Sequence, residues 1–264
     1  MRLLVQSDDF GITPGVSAGI IYGIRHGIIR NTGLFANMPD AEESVEMIRP
    51  YLDRIAFGID LNASAGPSLL PHGKIPHLTH EDGTFLTSRE NRALDTEENG
   101  FDHVSYDETY AEFDAQIRRF TGIVGKKPDY LHRHAYMTKT TDRIIHDLAL
   151  KYGIIDSQNV MDSELIKMPR KMDWMHFGSA DAQLESNLEA FILEDKGELL
   201  GTETAMLVAH CGFADVRMTQ LSSFNLLRLT DLEAMISERT AQWIRDNNIE
   251  LITYKDLDER FMPQ

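Results

Sequence analysis

The chain has 264 residues, and 42% of them are hydrophobic, which suits a globular fold with a large core. A formal net charge of −16 argues against nucleic acid and anionic membrane surfaces as partners, because both attract basic patches. The single cysteine excludes an internal disulfide and fits a reducing compartment. The first residues lack the long apolar region of a signal peptide, and no apolar run reaches membrane-spanning length, so we expect a cytoplasmic protein without membrane contact.

Short apolar runs alternate with amphipathic segments along the chain. The apolar runs predict strands at 3–5, 33–35, 56–61, 130–134, 154–155, 205–210 and 249–253. The amphipathic segments predict helices at 14–26, 41–51, 106–124, 140–152 and 232–247. This alternation is typical of a parallel sheet, and about seven units in this length favour a distorted (β/α) barrel over an open doubly wound sheet. We therefore expect an α/β fold in a single domain over 1–264.

Two stretches depart from the alternation. Residues 62–104 are polar and rich in Pro, Gly and His, and a loop of this length is typical of a lid or a binding loop. Residues 157–202 are also irregular, with an acidic helix predicted near 181–194. The first stretch is therefore a candidate wall for a binding site.

Two adjacent carboxylates, Asp8 and Asp9, follow the first apolar run. Parallel α/β folds place their chemistry at the carboxyl ends of strands. Neighbouring strand residues face opposite sides, and the backbone can turn at a strand end, so one carboxylate can hold a cation while the other moves a proton. An Asx turn or a helix cap is the structural alternative for this pair.

Three other strand ends carry candidate groups. Asp60 lies among apolar residues, where a carboxylate needs a cation or hydrogen-bond donors; backbone amides are the structural alternative to a cation. His132 and His134 share one face of a strand, an arrangement found in metal sites, although one could be structural and the other on the surface. His210 enters a glycine-containing turn, which suits a general acid or an oxyanion partner, or else a core histidine.

Several motifs together resemble the YdjC-like carbohydrate deacetylases, which include the chitooligosaccharide deacetylases. The resemblance runs over nearly the whole chain. It rests on these segments: Ser-Asp-Asp-Phe-Gly at 7–11, Thr-Pro-Gly-Val at 13–16, Leu-Pro at 70–71, Glu-Asp-Gly-Thr-Phe at 81–85, Lys-Pro-Asp at 127–129, and the late His210 before Gly-Phe at 212–213. The family implies a distorted barrel of parallel strands, a divalent metal ion, and hydrolysis of an N-acetyl group from a sugar or oligosaccharide.

The resemblance also implies roles for individual residues. Asp9 takes the position of a metal ligand and Asp8 that of the catalytic base. Asp60 stands where the family has a metal-binding His, and His134 takes a second imidazole-ligand position. A set of Asp9, Asp60 and His134 is harder and more anionic than one with two imidazoles, which favours Mg, Mn or Fe and leaves Zn open. His210 would protonate the leaving amine or stabilise the oxyanion.

The resulting functional prediction is a metal-dependent hydrolase that removes an acetyl group from a small carbohydrate. Two alternatives remain open at this stage. Asp60, and His132 in place of a family Asp, are compatible with a carbohydrate-binding barrel of weakened catalysis. A different metal-dependent hydrolase on the same scaffold is the other, since a fold does not dictate its chemistry. The family also suggests a homodimer.

Overall fold

The computed structural model describes residues 1–263, and Gln264, the last residue of the predicted domain 1–264, lies outside the described residues. One parallel sheet organises them. Its seven strands are β1 (Arg2–Phe10), β2 (Asn31–Leu34), β3 (Ala56–Leu61), β4 (Tyr130–Arg133), β5 (Ile155–Asp156), β6 (Thr204–Ala209) and β7 (Glu250–Ile252).

The long first strand organises the sheet, whose order is β5-β4-β3-β2-β1-β6. One edge of β1 pairs with β6. The other edge pairs with β7 over its first residues and with β2 further along. A bridge between Lys167 and Ala205 adds a short segment beside β6. The sheet curls into a half-barrel flanked by helices, which confirms the predicted distorted barrel of about seven parallel strands.

Helices connect and flank the strands. Their bounds are α1 (Pro14–His26), α2 (Ala41–Ile48), α3 (Ser88–Leu94), α4 (Tyr106–Val124), α5 (Lys139–Tyr152), α6 (Ser157–Met161), α7 (Ala180–Leu184), α8 (Leu188–Leu193), α9 (Val216–Leu221), α10 (Leu227–Ile236) and α11 (Glu238–Asp246). Among the described residues, no helix combines the length and apolarity needed to cross a bilayer.

Several predicted element bounds need correction. The helix predicted at 232–247 is interrupted at Ser237, whose hydroxyl accepts hydrogen bonds from the amides of Arg239 and Thr240 and so starts α11. The acidic helix predicted near 181–194 is likewise two short helices, because the Asn187 side chain caps α8. Strand β1 runs to Phe10, well beyond the predicted 3–5, and carries both acids within it.

Side-chain alternation divides the sheet into two apolar layers. The outer layer packs against the helices and includes Leu3, Val5, Phe57 and Leu207. The inner layer fills the floor of the half-barrel with the following side chains: Leu4, Ala56, Tyr130, Ile155, Met206, Ile252 and Tyr254. Polar side chains follow in the same inward register further along the strands, which directs them to one end of the half-barrel.

Gly33 makes room for a functional side chain. A Cβ atom built on Gly33 would lie 1.8 Å from Oδ1 of Asp60, on the neighbouring strand. We expect Gly33→Ala to lower the free energy of unfolding by about 1–3 kcal/mol or more through overpacking. Gly122→Ala is the matched control, because nothing lies within 4 Å of its Cβ position and Ala is favoured over Gly inside a helix. Urea denaturation should therefore show opposite signs for the two variants; equal stability would contradict this packing.

Candidate active site

A backbone irregularity places both adjacent acids at one cleft. The register between β1 and β2 shifts between Ser7 and Phe10, and Asp9 adopts a left-handed backbone with φ of 72°. The amide of Asp9 donates a 2.7 Å hydrogen bond to Oδ2 of Asp60. A bulge of this kind re-aims the side chains of a strand. Asp8 and Asp9 consequently line the same cleft instead of facing opposite sides of the sheet.

The cleft has a volume of about 620 Å³ and opens at the carboxyl ends of the strands. The long loop predicted as a binding loop forms one wall through Ser64, Ala65 and the first turns of α3, including Arg89 and Arg92. The segment 221–224 before α10 forms the opposite wall. Asp8, Asp9, His134 and His210 lie at the floor between these walls.

Asp8 is held by two buried side chains. Its Oδ2 lies 3.2 Å from Nε2 of His132, and its Oδ1 accepts a 2.6 Å hydrogen bond from Gln6. Burial alone would raise the pKa of Asp8, but the charge and hydrogen bond of His132 lower it below its ordinary value. Burial opposes charging of His132 as well, yet the Asp8 carboxylate raises its pKa to about 9. The pair is therefore ionised at neutral pH, with Asp8 able to accept a proton.

Hydrogen bonds extend from Asp8 in two directions. On one side, Nδ1 of His132 lies 2.7 Å from the hydroxyl of Ser157, at the start of α6. On the other, the Tyr254 hydroxyl donates a 2.7 Å hydrogen bond to the amide oxygen of Gln6, which then donates to Asp8. This polar column, defined as Tyr254, Gln6 and Asp8, runs through the inside of the half-barrel and fixes the direction of the Asp8 carboxylate.

His210 faces Asp8 across the floor of the cleft, with its Nε2 3.9 Å from Oδ2 of Asp8. Burial lowers the pKa of His210, so the imidazole is neutral at pH 7. Its backbone amide donates a 2.9 Å hydrogen bond to Asp231, and the Phe224 ring packs edge-on at 5.1 Å. Within residues 1–263 the side-chain Nδ1 has no hydrogen-bond partner. The predicted catalytic residues Asp8 and His210 therefore lie together in the structure, although their roles stay predictions.

Asp9 lies close to two polar side chains. Its Oδ2 accepts a 2.6 Å hydrogen bond from Arg228, and its Oδ1 lies 3.0 Å from Nδ1 of His134. Burial alone would raise the pKa of Asp9, but the charges of Arg228 and His134 lower it well below its ordinary value. The ring of Phe35 packs against His134 at 4.6 Å and fixes the imidazole plane. Asp9 is thus a carboxylate neutralised by a guanidinium.

Asp60 lies on β3, buried beneath the two adjacent acids. It is fully buried, and its Oδ2 accepts the Asp9 amide while its Oδ1 lies over Gly33. Burial first, and then the negative charge of Asp8, raise the pKa of Asp60 well above its ordinary value. Its backbone pairs in register with His132. The side chain therefore supports the bulge at Asp9.

The predicted ligands Asp9, Asp60 and His134 are neighbours, but their donor atoms do not surround one point. Asp9 and His134 face each other, whereas one oxygen of Asp60 accepts a hydrogen bond from the backbone amide of Asp9. Within residues 1–263, no three His, Cys, Asp or Glu side chains are arranged as a metal-binding group. As folded, the donor set does not fit a divalent ion, and the ligand roles of these three residues stay a prediction.

Sequence reasoning missed Arg228, Asp231 and Gln6. Arg228 and Asp231 lie three residues apart on α10, which places both on one face of that helix, and each is almost completely buried. The available signal was that Arg228 and Asp231 lie within the leucine-rich run 226–235, because ionisable residues on an apolar helix are rarely buried without partners. Gln6 left no such signal, since a polar residue within a strand is equally compatible with a solvent-facing position.

The fold and the site together define a class, a parallel α/β half-barrel with a cleft of carboxylates and imidazoles at its strand ends. The model of the family described as YdjC-like protein matches residues 2–246. The chain therefore belongs to the YdjC-like family.

Several named relatives and solved structures are similar to this chain over nearly its full length. Carbohydrate deacetylase 2 of Listeria innocua is 28% identical over 98% of this chain and 100% of its own, and a carbohydrate deacetylase of Clostridium beijerinckii is 26% identical over 97% and 100%. An Enterococcus faecalis V583 crystal structure, described as that of a candidate cellobiose-phosphate cleavage protein, superposes with a TM-score of 0.75 at 23% identity, over 96% and 97% of the two chains. The last similarity shows the fold.

Proposed function

We propose that this protein hydrolyses the acetamido group of an N-acetylated sugar or oligosaccharide and releases acetate. Family membership and relatives named carbohydrate deacetylases support the reaction class. The cleft supports it further, because its volume of about 620 Å³ is within the range of pockets that hold small ligands.

The observation that carries the proposal is the facing pair of Asp8 and His210. One is a buried carboxylate fixed by His132, and the other is a neutral imidazole 3.9 Å away. Amide hydrolysis needs a base to activate water and a group that delivers a proton to the leaving nitrogen. A carboxylate and an imidazole on one cleft floor supply both.

The reaction follows from this arrangement. Asp8 takes a proton from water as the water oxygen adds to the acetyl carbon, and the carbonyl electron pair moves onto its oxygen. When the electron pair returns, the bond between carbon and nitrogen breaks. The proton held by Asp8 reaches the departing amine through His210, which faces both Asp8 and the cleft. The products are acetate and the free amino sugar.

Three further predictions concern the metal ion, the oligomeric state and the cellular location. A dependence on Mg²⁺, Zn²⁺, Mn²⁺ or Fe²⁺ stays a prediction from the family resemblance, because the donor set as folded does not enclose an ion. The homodimer and the cytoplasmic location likewise stay predictions. No step above depends on any of them.

An acetate-release assay tests the proposal. We expect the purified protein to release acetate from N-acetylglucosamine or its β-1,4-linked oligosaccharides, measured by an enzyme-coupled acetate assay with the amine counted in parallel. Equal amounts of acetate and amine would support amide hydrolysis. Sugar binding by calorimetry without acetate release, under both chelated and metal-supplemented conditions, would instead support the carbohydrate-binding barrel.

A further inference from the structure

Arg228 is a buried cation at the floor of the cleft. Its side chain is 1% exposed, its Nε donates a 2.7 Å hydrogen bond to the carbonyl of Phe224, and its Nη2 donates to Asp9. Its own carbonyl accepts a hydrogen bond from the amide of Gly212, in the turn after His210. The guanidinium is therefore held by the Phe224 carbonyl and the Asp9 carboxylate, and the Gly212 amide holds the backbone of Arg228.

The Arg228 guanidinium donates a hydrogen bond to Asp9, the carboxylate that the family resemblance assigns to metal binding. A divalent ion at Asp9 would lie within a few ångströms of this guanidinium and be repelled by it. An ion also needs several donors, and Asp60 uses Oδ2 to accept the amide of Asp9, while its Oδ1 lies over Gly33 without a hydrogen-bond partner among residues 1–263. Of the other two predicted ligands, His134 is the one whose side chain faces the Asp9 carboxylate.

We infer that Arg228 takes the place of a divalent ion at Asp9, so that a fixed guanidinium balances the acidic site of this chain. Two features carry the inference. One is the buried ion pair of Arg228 with Asp9, and the other is Asp60, which supports the Asp9 bulge at the position where the family resemblance has a metal-binding His. Of the measurements that follow, only the activity assay rests on the proposed function.

Metal binding tests the inference directly. The full-length protein is treated with a chelator, dialysed, and titrated with Zn²⁺ and Mn²⁺ separately, with bound metal measured by mass spectrometry after gel filtration. We expect far less than one ion per chain. Stoichiometric binding of either ion by the unmodified protein, abolished in His134→Ala, would overturn the inference. This measurement needs no variant that disturbs the Arg228 pair.

A second experiment tests whether metal binding can be created by restoring the ligand set. The double variant Arg228→Gln with Asp60→His removes the competing cation and supplies the imidazole that the family resemblance implies at position 60. We expect it to bind about one Zn²⁺ per chain, the stoichiometry of a single site. Circular dichroism verifies that it is folded. A folded double variant that gains no metal would contradict competition between Arg228 and the ion.

Activity of the chelated protein gives a separate readout. Acetate release by the unmodified protein that survives chelation, with no gain on adding Zn²⁺ or Mn²⁺, supports the inference. Release that is lost on chelation and restored by metal would overturn it while leaving the proposed function intact. If no acetate is released under any condition, the proposed function fails, and the two metal-binding measurements still decide the role of Arg228.

Discussion

Asp8→Asn should release acetate about 10²- to 10⁴-fold more slowly than the unmodified protein, the range expected when a positioned general base is lost. The amide keeps the size of the carboxylate and can still accept the hydrogen bond that Gln6 donates to Asp8. It cannot take the proton of the attacking water. The loss should therefore fall on kcat, with KM nearly unchanged, as measured by steady-state acetate release.

The pKa of the histidine beside Asp8 reports separately on the loss of the carboxylate. The pKa of His132 is raised to about 9 by the Asp8 carboxylate, so the substitution should lower it to or below the ordinary histidine value, as followed by NMR titration. Asp53→Asn is the matched control, because Asp53 is exposed and far from the cleft in its loop before β3. Full activity in Asp8→Asn, or an equal loss in Asp53→Asn, would remove Asp8 from its proposed role.

Asp231→Asn should gain about 3 kcal/mol of stability relative to the unmodified protein as the pH rises from 5 to 8. Burial raises the pKa of Asp231 to about 7, well above its value in the unfolded chain. Between these two pKa values the folded state binds more protons than the unfolded state, so stability falls as pH rises through this window. Asparagine does not titrate, and the difference between the two proteins therefore grows with pH.

Urea denaturation at several pH values measures this difference. Asp114→Asn is the control, because the pKa of Asp114 shifts in the opposite direction. Contacts with Lys151 and Tyr152 outweigh burial and lower the pKa of Asp114. Asp114 is therefore charged in both folded and unfolded states above pH 5, and its substitution should change stability by an amount that does not vary from pH 5 to 8. A flat difference for Asp231→Asn as well would show that Asp231 is not protonated in the folded protein.

Much of the fold followed from local patterns in the sequence. Alternating apolar and amphipathic segments predicted the parallel barrel, because each unit buries its own apolar face locally. The candidate residues Asp8, Asp60 and His210 were predicted at strand ends, and the structure brings their side chains into one region, since parallel strands end at the same edge of a sheet. Element bounds were less accurate because a single side chain, such as Ser237, can end one helix and start the next.

The charge pairing of the site was not predictable from the same patterns. Arg228 and Asp9 are 219 residues apart, and nothing local to either residue indicates the other. The left-handed backbone of Asp9 also depends on a distant partner, the Asp60 carboxylate, since an isolated strand residue prefers extended geometry. Interactions of this kind arise only after the strands assemble.

The polar column has a consequence for the end of the chain. Tyr254 donates its hydroxyl to Gln6, a residue 248 positions earlier, so this late segment of the polypeptide helps to hold the Asp8 carboxylate in the cleft. Removal of the chain from Tyr254 onward would take a buried ring from the inner layer and leave Gln6 without the hydroxyl that orients it beside Asp8.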